Sequence, residues 1–233
     1  MIDSGAELSR NLERVRARIA AAADRAGRDA GEVLLVAVAK RQPAAAVELA
    51  ARAGVRDIGE NYVNELAAKR ETVDAEGLRW HFVGALQSST AHRVADLADV
   101  VHSVGSVHAA ERLAARAERD GRTIGSLVQV DFTGAGGRNG VAPEETAEAV
   151  HRLRGLAGIE VRGLMTMPPF DPDPEASRAW FRRLRELRDA ARAGPGDLPE
   201  LSMGMSGDYE VAVEEGATMV RIGTALFGSR PTE

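Results

Sequence analysis

The chain has 233 residues, 44% of them hydrophobic and 28% charged, with a formal charge of -5 and no cysteine. That balance describes a globular chain long enough to bury a sizeable core. It excludes a disulfide scaffold, a thiolate metal site and a cysteine nucleophile, and with 4% aromatics it argues against broad nucleic-acid binding.

Residues 7–28 place Leu8, Leu12, Val15 and Ile19 three or four apart amid Arg and Glu, the spacing of an amphipathic helix. The period then changes. Residues 33–39 are continuously apolar and rich in branched side chains, which predicts a strand buried on both faces, as in a parallel sheet. Beyond it, short apolar runs alternate with helical patterns. Helices are predicted at 43–53, 61–72, 88–97, 106–119, 143–155, 174–192 and 208–215. Strands are predicted at 57–59, 79–83, 100–103, 126–131, 159–164, 200–202 and 218–222. Eight strands with a helix between successive pairs point to an α/β fold, a (β/α)8 TIM barrel forming a single domain over 1–233 with an extra N-terminal helix. An open doubly wound sheet is the weaker reading, because no glycine loop follows the first strand. No run approaches the ~20 apolar residues of a membrane span. The charged segment 1–30 is unlike a secretory leader, and a cytoplasmic location is expected.

Of the 30 basic residues, 28 are Arg; Lys stands only at positions 40 and 69. Lys40 closes the first strand at its carboxyl end, the end at which barrels hold active sites. Partial desolvation there would favour the neutral amine, a nucleophile for an aldehyde; a lysine snorkelling to solvent is the alternative. Lys69, beside Arg70, reads as a solvated charge that Arg could replace. Ser202–Ser206 precedes a short helix, and Gly223 and Thr224 follow the last strand, so small residues with available N–H groups suit a phosphate. Asn61, after the second strand, is either a helix cap or a pocket residue. The irregular segments 132–140 and 167–174 follow strands, where a barrel carries its working loops. In the first, Arg138 is a candidate ligand-facing residue. Histidines 81, 92, 102, 108 and 151 lack metal-site spacing and read as strand packing or surface residues.

Together these segments resemble the pyridoxal phosphate homeostasis protein family, stand-alone relatives of the alanine racemase N-terminal barrel. The matching pieces are Leu35–Lys40, Ile58–Tyr62, Trp80–Gly84, Gly163–Met165, Leu201–Ser206 and Val220–Thr224 with Phe227–Gly228, in the family's order over nearly the whole chain. The resemblance implies that Lys40 holds pyridoxal 5'-phosphate as a Schiff base. It implies that Ser206 and the backbone of Gly223 and Thr224 hold the phosphate, that Arg221 faces the pyridine nitrogen, and that Asn61 lies in the pocket. Two departures stand out. Residues 85–90 read Ala-Leu-Gln-Ser-Ser-Thr where the family usually continues Pro-Leu-Gln-x-Asn-Lys, and Arg138 stands where Lys is common. A hand-over of the cofactor between accessory lysines is therefore not expected.

The resemblance implies cofactor storage, buffering or delivery, with apo-enzymes that use pyridoxal phosphate as acceptors and no evident catalysis. A racemase is the enzymatic alternative, requiring a second acid/base for which only Tyr62 and Tyr209 are available. A Schiff-base aldolase is the third class, disfavoured by a Lys on the first strand. With no second domain after the eighth strand, a monomer is expected, without nucleic-acid or membrane partners.

Overall fold

The computed structural model describes residues 5–134, 139–194 and 196–228. Eight parallel strands form a closed barrel in chain order: β1 (Leu34–Val38), β2 (Asp57–Glu60), β3 (Arg79–Phe82), β4 (Val100–Val104), β5 (Ile124–Gln129), β6 (Ile159–Met165), β7 (Glu200–Met205) and β8 (Met219–Ile222). Pairing of Leu34–Ala37 with Met219–Ile222 closes the ring. The (β/α)8 expectation is met, and the strands lie within a few residues of their predicted places. The fifth begins earlier than expected, at Ile124. Gly125, which reads as a strand breaker, lies where a Cβ would come within 2.9 Å of the Arg162 guanidinium.

The helices between the strands are α2 (Ala44–Arg52), α3 (Val63–Thr72), α4 (Ala91–Leu97), α5 (Val107–Arg119), α6 (Thr146–Arg154), α7 (Arg178–Ala191) and α8 (Tyr209–Glu214). Before the barrel comes α1 (Gly5–Arg25), and after β8 a turn of helix, α9 (Thr224–Phe227). The predicted stripe of α1 is the buried one: Leu8, Leu12, Val15 and Ile19 are all at most 4% exposed. At ~1.5–3 kcal/mol for each large apolar side chain, this face is what attaches the extra helix to the barrel. Polar contacts set its register: Asn11 Nδ2 donates to the Leu226 carbonyl at 3.0 Å, and Arg28 donates to the carbonyls of Val213 and Ala217 at 2.6 and 3.0 Å. The N-terminal helix thereby braces α8 and α9, which follow the last two strands.

Most of the core lies between sheet and helices. Inside the barrel, Val100, Leu127 and Met165 form a small separate cluster. Gly59 also faces inward, with Val36 and Val38 side chains 3.1 and 3.2 Å from where its Cβ would stand. Much of the remaining interior is polar, with His81, His102, Ser126 and Ser202 each 0% exposed and Arg221 4%. An interior of stacked aliphatic layers is the usual filling of such barrels.

Candidate functional site

A cavity of about 340 Å³ opens at the carboxyl ends of the strands, and Lys40, Asn61, Ser206, Arg221, Gly223 and Thr224 all line it. The structure thus brings together all six residues singled out in the sequence. It is of a size that takes a small cofactor.

Lys40 lies just past β1 in a turn closed by the Gln42 N–H donating to the Ala39 carbonyl at 3.0 Å. Arg41, the next residue, has φ of 60°, the left-handed region that a non-glycine residue enters at a cost of ~1–2 kcal/mol. Its N–H donates to Glu65 Oε2 at 2.7 Å, which helps hold the turn.

The surroundings of Lys69 contradict the sequence reading. Its side chain is not solvated. Lys69 is 6% exposed, and Nζ donates to the Ala39 carbonyl at 2.7 Å, to Glu60 Oε1 at 2.6 Å and to Glu65 Oε2 at 3.3 Å. Neighbours on a helix point about 100° apart, so Arg70 takes the outer face, where it donates to the Leu97 carbonyl. Burial pushes the Glu60 carboxyl up to about 7 against the pull of Lys69. The pair sits directly beneath the turn that carries Lys40.

Asn61 follows β2, and its buried Oδ1 has no hydrogen-bond partner among the described residues. It does not cap the helix: the N-cap of α3 is Tyr62, without a side-chain cap. Gly84 explains part of the Trp80–Gly84 signal, because a Cβ there would stand 1.9 Å from the Asn61 carbonyl oxygen. The chain after β3 therefore packs backbone against backbone on Asn61.

Ser206 Oγ accepts from the N–H groups of Gly223 and Ala225, both at 3.2 Å, which joins the turn after β7 to the turn after β8. Gly204 makes this approach feasible. Its φ is +90°, and a Cβ would lie 2.5 Å from the Ala212 Cβ and 2.9 Å from the Tyr209 Cα. Met205 N donates to Asp208 Oδ1 at 2.7 Å and fixes the turn.

Arg221 reaches into the cavity from β8. Its Nη1 donates to Ser202 Oγ at 2.6 Å and its Nη2 to the Thr166 carbonyl at 2.9 Å. Burial pushes its guanidinium down to about 10, with Asp208 working against it, which leaves a cation at neutral pH.

The 167–174 segment does serve the site, since Met167, Pro168, Pro169, Phe170 and Asp171 form one wall of the cavity. In the other loop, Asn139 donates to the Ser103 carbonyl at 2.8 Å and to Gln129 Oε1 at 3.0 Å, tying the loop to β4 and β5. Arg138 lies outside the described residues. His92, His108 and His151 are exposed, whereas His81 and His102 belong to a buried polar chain that strand packing alone does not describe. Neither tyrosine lines the cavity: Tyr62 is 47% exposed, and Tyr209 is 2% exposed with the Arg18 guanidinium 5.7 Å from its ring centre.

Residues 10–231 match the family model described as alanine racemase, N-terminal domain. The pyridoxal phosphate homeostasis protein of Pseudomonas aeruginosa is 42% identical over 223 residues, covering 96% of each chain. That of Aquifex aeolicus is 40% identical over 94% of this chain and 96% of the relative. The structure of PipY from Synechococcus elongatus with pyridoxal phosphate bound superposes with a TM-score of 0.82 at 35% identity, covering 95% of this chain and all of that one. With that breadth of identity over a shared barrel, the chain belongs to the pyridoxal phosphate homeostasis protein family.

Proposed function

We propose that this barrel binds pyridoxal 5'-phosphate and acts in its homeostasis, by storage, buffering or delivery to apo-enzymes, without turning over a substrate. One observation carries the reading: Lys40, Ser206, Arg221, Gly223, Thr224 and Asn61 face a single cavity at the working end of the barrel. The residues fit the group chemically. Lys40 offers a primary amine, Ser206, whose Oγ accepts from the Gly223 N–H, keeps its hydroxyl hydrogen to donate to a phosphate beside the small turn at Gly223 and Thr224, and Asn61 Oδ1, without a partner among the described residues, offers an acceptor. Lys40 would hold the cofactor through its primary amine, and pyridoxal phosphate, when bound, would supply an aldehyde with which such an amine can react. Arg221 would present a cation to the ring nitrogen, which would disfavour protonation there and weaken the ring as an electron sink. A second acid/base would be needed for racemisation, and neither tyrosine lines the cavity.

We place the protein in the cytoplasm as a monomer. A chain without cysteine is compatible with that compartment, and among the described residues no helix is long and apolar enough to cross a membrane.

The test is the absorption spectrum of the purified protein titrated with pyridoxal phosphate, followed by borohydride reduction and peptide mass spectrometry. A reduced adduct on the peptide containing Lys40 is expected. Failure to take up the cofactor overturns the binding reading. Rapid loss of optical purity in added L-alanine overturns the reading of a carrier without turnover.

A further inference from the structure

Beneath the cavity, five polar side chains from five strands form an unbroken hydrogen-bonded chain. Arg221 Nη1 lies 2.6 Å from Ser202 Oγ, Ser202 Oγ 2.8 Å from His102 Nδ1, His102 Nε2 2.8 Å from His81 Nδ1, and His81 Nε2 2.8 Å from Asp57 Oδ1. Arg79 Nε donates to the same Asp57 oxygen at 2.5 Å. Both imidazoles and Ser202 are 0% exposed, and Asp57 is 5% exposed. So much polarity in a barrel interior is costly unless every group is satisfied.

The chain has one self-consistent set of protons. Asp57, held by Arg79, is ionised and can only accept, so His81 Nε2 carries a hydrogen. Burial keeps both imidazoles neutral, which leaves His81 Nδ1 bare to accept from His102 Nε2–H. His102 Nδ1 is then bare in turn and accepts the Ser202 hydroxyl hydrogen, and Ser202 Oγ is free to accept from Arg221. Every donor runs from Arg221 toward Asp57. An added proton on His81 would set two N–H groups against each other at the His81–His102 contact, and one on His102 Nδ1 would meet the Ser202 hydroxyl hydrogen instead of a bare nitrogen.

The far end of the chain lies at the opposite mouth of the barrel. A second cavity of about 310 Å³ opens there among the first residues of the strands, lined by Arg79, His81, Arg162 and Glu200. The Arg79 side chain is 48% exposed.

We infer that Asp57, His81, His102 and Ser202 are positioning residues of the cofactor site, a one-way relay that orients Arg221 and makes that site responsive to the far mouth of the barrel. The inference rests on the reading of Arg221 as the residue facing the cofactor. Its substance is that the guanidinium is oriented from below by a chain whose direction is fixed four hydrogen bonds away.

The first test needs no cofactor. In the ¹⁵N-histidine-labelled protein, long-range ¹H–¹⁵N correlation at neutral pH should show two buried imidazoles, His81 and His102, as single neutral Nε2–H tautomers. An Nδ1–H tautomer or a doubly protonated ring at either position overturns the relay. The second test substitutes within and beside it. Asp57→Asn keeps an acceptor oxygen but removes the fixed charge, and should mix the tautomers of both rings. His102→Leu should weaken pyridoxal phosphate binding about tenfold and shift the bound absorption band, while His102→Gln, which can still accept and donate, restores both. Glu200→Gln, in the same lower cavity but outside the chain, should change neither. If folded His102→Leu binds the cofactor with wild-type affinity and spectrum, the positioning role fails. Absence of cofactor binding by the wild-type protein would instead defeat the underlying functional reading, and the tautomer measurement would still decide whether the relay exists.

Discussion

Lys69 reaches the carbonyl of Ala39 with its ammonium, so the two lysines of this chain meet at the peptide that joins Ala39 to Lys40. From there their surroundings diverge. Lys40 is half-buried on the wall of an open cavity, in a turn that bends away from the strand. Lys69 is nearly sealed, held by a carbonyl and two carboxylates. One amine is placed for an incoming reagent and the other for a fixed partner. Conservation of charge is therefore the wrong measure for either, because Arg would lose nucleophilicity at the first and compactness at the second.

The sharpest way to break this contrast is at Lys40. Lys40→Ala and Lys40→Arg should both abolish the borohydride-fixed adduct, while the unfolding free energy measured in urea stays within about 1 kcal/mol of wild type. An adduct that persists in Lys40→Ala and disappears in Lys69→Ala would exchange the two roles. At Lys69 the expected loss is in stability. Lys69→Met leaves the Glu60 carboxylate buried without its cation, and should cost about 3–5 kcal/mol at pH 8. Lys69→Arg forces a larger fork into the same space and should cost about 1–3 kcal/mol. Wild-type denaturation midpoints for both would show that the pair is not a structural anchor.

The same contrast between contact and open space can be drawn with glycines. Gly84→Ala would press a methyl group onto the Asn61 carbonyl, 1.9 Å away, and should cost about 1–3 kcal/mol. Gly207 lines the cavity with nothing within 4 Å of its added Cβ, so Gly207→Ala should stay within about 0.5 kcal/mol. Equal midpoints for the two variants would mean that the turn after β3 gives way without strain.

These regions also separate what the sequence reveals from what it hides. The barrel was legible because a strand buried on both faces leaves a short continuous apolar run, as at 33–39, and the helices between strands leave a different period. The cavity residues were legible because chemistry at a barrel's working end needs a recognisable set: a strand-end amine, small turns and a cation. Lys69 was misread because adjacent Lys and Arg give no sign of which one points inward. The available signal was Glu60, an acid on a strand whose four residues are all buried and which therefore needed a cation nearby. His81 and His102 stand 21 positions apart on neighbouring strands, and only the parallel pairing of β3 with β4, which sets His81 opposite Val100, brings their nitrogens together. The four-residue α9 is too short to show any periodicity.

A smaller effect sharpens the comparison between the charged pair under Lys40 and the neutral imidazoles under Arg221. Burial holds His102 well below the usual histidine range, with His81 and Arg221 adding to the depression. In the unfolded chain His102 takes up a proton near pH 6.5, whereas in the folded chain it does not. Below that pH the unfolded state binds more protons, so this histidine's share of stability is intact above 6.5 and is lost as pH falls, at about 1.4 kcal/mol per pH unit. Glu60 acts with the opposite sign. Burial raises it to about 7 in the folded chain, above the ordinary 4.5, so its protonated form stabilises the fold at low pH, and that contribution is lost as pH rises through 7. The two partly cancel in the wild-type profile between pH 5 and 6. The difference between wild type and His102→Gln removes the Glu60 contribution, because Gln keeps the relay's hydrogen bonds but does not titrate. Urea denaturation across this window should therefore show a pH slope shallower by about 1.4 kcal/mol per unit in His102→Gln. Parallel slopes would mean that the folded protein protonates His102 as readily as the unfolded chain, and the interior beneath Arg221 would then hold a charge that the one-way relay forbids.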